Sequence, residues 1–172
     1  ITAWKTMAFG GEKTKTITIN ANGNKIIFDQ KSNDCNHVSL NNDEAVLTIN
    51  DAALATSGYN TGHWKRSILH FASDVVLNNV TAANGLGFEK DAVLNDVEVS
   101  QVGDNYAVWV WAQGQTVTFE GVSVDSEGRA IKVAQEDVDA PSKITINVAN
   151  STFKSAKKAA ILVTSTAGAV VN

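Results

Sequence analysis

The sequence predicts an all-β fold, a parallel β-solenoid of about six coils of three short strands each, and three observations predict it. Apolar and polar residues alternate in short runs broken by polar turns that hold Gly, which marks strands and not helices. The stretch from Asp91 to Val133 contains one such unit followed by a copy of it. The same phase then recurs along the chain. An apolar residue with a polar neighbour closes the first strand of each unit at Ile19-Asn20, Ile49-Asn50, Leu77-Asn78, Leu94-Asn95, Phe119-Glu120 and Ile146-Asn147. The intervals are 30, 28, 17, 25 and 27 residues, within the range of a stacked repeat. The 17-residue interval marks either a shortened coil or a slipped alignment. Pro141 is the only proline, and the connections are too short for the helices of a βαβ unit.

Residues 1–13 (ITAWKTMAFGGEK) precede the first coil, and Trp4, Met7 and Phe9 suit a cap over the open end of the stack. The solenoid is expected over 14–172. After each anchor pair come second strands at Ala52–Leu54, Val80–Ala82, Val97–Val99, Val122–Val124 and Ser151–Phe153. Turns with Gly58, Gly62, Gly85, Gly103 and Gly128 lead to third strands at Val38–Leu40, Ile68–Phe71, Leu86–Phe88, Tyr106–Trp111, Ala130–Val133 and Ala160–Val163. The recurring Asn suits a ladder of side-chain hydrogen bonds from coil to coil, and Asn also tolerates the left-handed backbone of a sharp corner. Thr56–Arg66 and Ala134–Lys143 interrupt the pattern and should project as loops. The closing AGAVVN carries no polar cap, so the natural protein is expected to continue beyond Asn172 or to receive another subunit there.

With 172 residues, 44% of them hydrophobic, the chain is long enough to bury one core. No apolar run is long enough for a membrane span. The net charge of −4 and scattered Lys and Arg give no footprint for nucleic acid. Cys35 is the single cysteine, so no intramolecular disulfide forms. The chain opens on Ile1 without a leader pattern, which suggests a processed or trimmed chain.

The chemistry-bearing residues are few. Glu136, Asp137 and Asp139, with Asp125 and Glu127 one turn away, read as a solvated acidic loop or, alternatively, as a Ca²⁺ site; no other cofactor is expected. Cys35, His37, His63 and His70 lack the spacing of a zinc site. No phosphate loop and no Gly-x-Ser-x-Gly is present. Asn79-Val80-Thr81 and Asn150-Ser151-Thr152 match the glycosylation sequon at the frequency that chance gives in an Asn- and Thr-rich chain. The aromatic run Tyr106-Ala-Val-Trp-Val-Trp-Ala112 is more informative. Alternation sends Tyr106, Val108 and Val110 to one face and Ala107, Trp109 and Trp111 to the other, and alignment with Ile131 and Val133 puts the valines inside and Trp109 and Trp111 outward. Lys132, and His70 beside them, fall on the same outer sheet in adjacent coils. Left bare, the two Trp rings form a platform for a sugar ring or a partner's apolar surface; covered by the N-terminal segment or a loop, they form packing.

The segments ITINANGNKIIF, VVLNNVTAANG, AVLNDVEVSQVGDNYAVWV, TVTFEGVSVDSEGRAIKV and ITINVANSTFKSAKKAAILV resemble the right-handed parallel β-helix of the pectate-lyase-like superfamily, over nearly the whole chain from Thr14. More narrowly, the chain is similar to repeat proteins of bacterial surfaces and phage virions. That resemblance implies an extracellular, cell-surface or virion location. Of the four motifs of the polygalacturonase-like enzymes, only Arg129-Ala130-Ile131-Lys132 echoes one, with an extra residue. The expected function is therefore a non-catalytic structural or adhesion module whose recognition face is Trp109, Trp111, His70 and Lys132, with a surface glycan or another protein subunit as partner. End-to-end or side-by-side self-association is a further expectation. The alternative is a lyase or depolymerase fragment acting on acidic polysaccharide through Lys132, Arg129 and the acidic loop.

Overall fold

A computed structural model describes residues 2–3, 6–30, 36–40, 42, 44–57, 68–111, 114–134, 143–164 and 168–172, with backbone alone at 2–3, 6–9, 29–30, 36–37 and 57. Among the described residues the chain is all-β, without a helix, and every strand pair is parallel. Among the described residues no helix is long and apolar enough to cross a membrane.

Two sheets run side by side, and the chain alternates between them layer by layer. In the larger sheet one column is β3 (Thr16–Asn20), β6 (Val46–Ser57), β8 (Asp74–Ala83), β10 (Ala92–Gln101), β12 (Thr116–Glu120), β15 (Ile144–Ala149) and β18 (Ala169–Val171). Beside it stand β1 (Thr2–Ala3), β4 (Lys25–Gln30), the second halves of β6, β8 and β10, then β13 (Ser123–Ser126) and β16 (Thr152–Ser155). The smaller sheet is β2 (Thr6–Phe9), β5 (Asn36–Leu40), β7 (Leu69–Phe71), β9 (Leu86–Phe88), β11 (Tyr106–Val110), β14 (Arg129–Val133) and β17 (Ile161–Val163). Residues 1–13, where the sequence places a cap, supply β1 beside β4 and β2 beside β5. Trp4 lies outside the described residues, as do 58–66 and 135–142 of the two predicted loops.

Register explains the core. Ile17, Leu47, Val75, Ala92, Val117, Ile146 and Val171 occupy one column. Ile19, Ile49, Leu77, Leu94 and Phe119 occupy the next inward column, where the last four are fully buried. Removing a Leu side chain of this kind from water stabilises by about 2 kcal/mol. The 17-residue interval is a genuine short layer, since Leu94 stands directly on Leu77. The last anchor is corrected. Ile146 pairs with Val117, and it is Val148 that stands on Phe119. A slip of two residues keeps every side chain on its own face, so alternation is blind to it.

The Asn ladder forms. The Asn50 amide donates to Asn20 Oδ1 at 2.7 Å, Asn78 to Asn50 at 2.7 Å and Asn95 to Asn78 at 2.8 Å. The left-handed corner sits one residue later than the ladder, at Asp51, Asn79 and Asp96, with φ of 52°, 51° and 52°. This single kink bends β6, β8 and β10 without ending them, so the predicted first and second strands are continuous there. At Gly121 (φ 64°) a Cβ would lie 2.6 Å from Asp96 Oδ1, which explains why this layer turns on glycine.

Two outcomes follow for chemical denaturation. Asn78 holds both the rung above and the rung below, so Asn78→Ala should lower unfolding stability by about 2 kcal/mol, whereas Asn20→Ala, at the end of the ladder, should lower it by about half as much. Val122→Asp buries an unpaired carboxylate at a position that is 1% exposed, and should cost about 4 kcal/mol or more; near-native melting of this variant would refute the register.

Candidate aromatic site

The outer face of the smaller sheet gathers the four residues singled out by the sequence. His70, Gly87, Trp109 and Lys132 occupy successive positions of one outward column. Backbone bonds from Glu89 to Phe71 and from Trp111 to Phe88 continue the ladder at 2.9 and 3.1 Å, which sets Glu89 and Trp111 in the adjoining outward column. Val108 and Val110 point the other way, into the main core.

Trp109 and Trp111 stack at 4.7 Å with planes 4° apart. The His70 ring meets them edge-on at 5.6 and 5.8 Å. His70 and Trp109 are two layers apart, a backbone separation of about 9.6 Å, and they touch because Gly87 between them has no side chain. A Cβ on Gly87 would fall 2.5 Å from His70 Nδ1. Lys132 Nζ lies 5.2 Å from the Trp109 ring and 4.9 Å from Tyr106, while the Arg129 guanidinium lies 5.6 Å from Tyr106. Both cations of the lyase alternative are thus held against one aromatic group.

The predicted side is right, but the platform is not bare. Trp109 is 0% exposed and forms a second apolar cluster with Ile68 and Ala134, against which half-buried Trp111 packs. His70 is equally buried. Alternation along a strand states which face a residue takes and is silent about what lies on that face. The accessible rim therefore consists of Trp111, Tyr106, Lys132 and Glu89. Tyr106, Gly87 and Glu89 were not marked by the sequence as site residues; continuing the period of Leu86-Gly-Phe88 by one residue would have placed Glu89 on the outer face.

Glu89 is the perturbed acid of the site. Its side chain is 24% exposed and its carboxylate lies 3.9 Å from His70 Nδ1. Burial disfavours its charged form and pushes its pKa from 4.5 up to about 7. Elsewhere, Lys158 donates to Asp104 at 2.6 Å, and this bond holds the Asp104 carboxyl below its ordinary range. Glu127 accepts from the Gly103 amide at 2.9 Å and faces Lys157 at 3.6 Å. The Glu127 contacts tie adjacent turns together, the Lys158–Asp104 pair spans two layers, and exposed contacts of this kind add little stability. Among the described residues no group of three His, Cys, Asp or Glu could hold a metal ion. Glu136, Asp137, Asp139, Cys35 and His63 lie outside the described residues, and His37 is described only by its register position beside His70.

No family model, no curated protein and no solved structure matches the chain.

The raised Glu89 pKa sets a pH dependence. The folded state binds the proton more tightly than the unfolded chain, so the stabilisation is fully present below pH 4.5 and is lost as pH rises to about 7. Melting temperature should fall across this window, and Glu89→Gln should flatten that part of the profile. An unchanged slope in Glu89→Gln would assign it to another group.

Proposed function

We propose that the two parallel sheets are walls of a right-handed parallel β-helix of about six coils, of the pectate-lyase-like kind, and that the chain is a non-catalytic structural or adhesion module of an extracellular or virion-surface protein. The observation that carries this reading is the apolar column from Ile17 to Val171, which passes without a break from β3 to β18. Each layer rests on its neighbours across the whole cross-section, so the body resists bending between layers and suits a rigid spacer. Outer-face chemistry fits the same role. His70 and Lys132 pack against Trp109, Lys132 and Arg129 lie against Tyr106, and the rim formed by Trp111, Tyr106, Lys132 and Glu89 is the surface on which a glycan or a protein subunit would dock.

The two tryptophans separate packing from recognition. Trp109→Ala should cost about 3–5 kcal/mol of stability. Trp111→Ala should keep the fold and lose signal on a glycan array if the partner is a sugar. Release of unsaturated sugar from an acidic polysaccharide, abolished by Lys132→Ala in a folded protein, would replace this reading with the lyase alternative.

A further inference from the structure

We draw no further inference here: the strongest candidate, the groove on the outer face of the larger sheet between Lys25 and Asp125, is floored by a stripe of small residues such as Ala53, Ala83 and Ser100, and nothing in the structure shows what covers it.

Discussion

Parallel, in-register pairing is the constraint on which the rest of this structure depends. Because each layer sits on its equivalent one strand spacing away, every position answers to the residues directly above and below it and only weakly to its neighbours in sequence. This is why so short a list of residue types suffices. A column that is apolar at one layer must be apolar at the next, as from Leu47 through Val75 to Val117. A polar residue survives in a column when its neighbours can share its hydrogen bonds, as Asn20, Asn50, Asn78 and Asn95 do.

The corners follow from the same constraint. A kink that occurred at different places in successive layers would break the pairing on both sides of it. Placing one left-handed residue at the same height in β6, β8 and β10 lets the strands turn together, and the ladder resumes at once with Ala52, Val80 and Val97. Asp, Asn and Gly fill that height because they tolerate the conformation at least cost. The residues there also touch from layer to layer, as Asn79 donates to Asp51 at 2.8 Å.

Much of this was legible in the sequence because burial and period are both local. The third strands from Val38–Leu40 to Ala160–Val163 fall on the smaller sheet, and the short layer ending at Leu94 is real. The failures share a cause. Ile146 was placed two residues out of register, and a period of two cannot detect a shift of two. Asn95 and Asp96 are adjacent and both suit a turn, so composition does not say which of them bends; only pairing in the third dimension does. Alternation assigns the face of Trp109 and leaves open whether it is bare or covered, since exposure is decided by contacts distant in sequence; in the structure it is covered.

The aromatic site shows how a stack acquires a second core. Outward columns normally meet water, and an outward Trp would be left wet. Here Gly87 removes one side chain from the column, His70 and Trp109 close over the gap from either side, and Trp111 stacks beside them from the adjoining column. The closure buries an imidazole and half-buries a carboxylate, which raises the Glu89 pKa as a consequence of packing. The perturbed acid is thus explained by the cluster that encloses it, without any demand for catalysis.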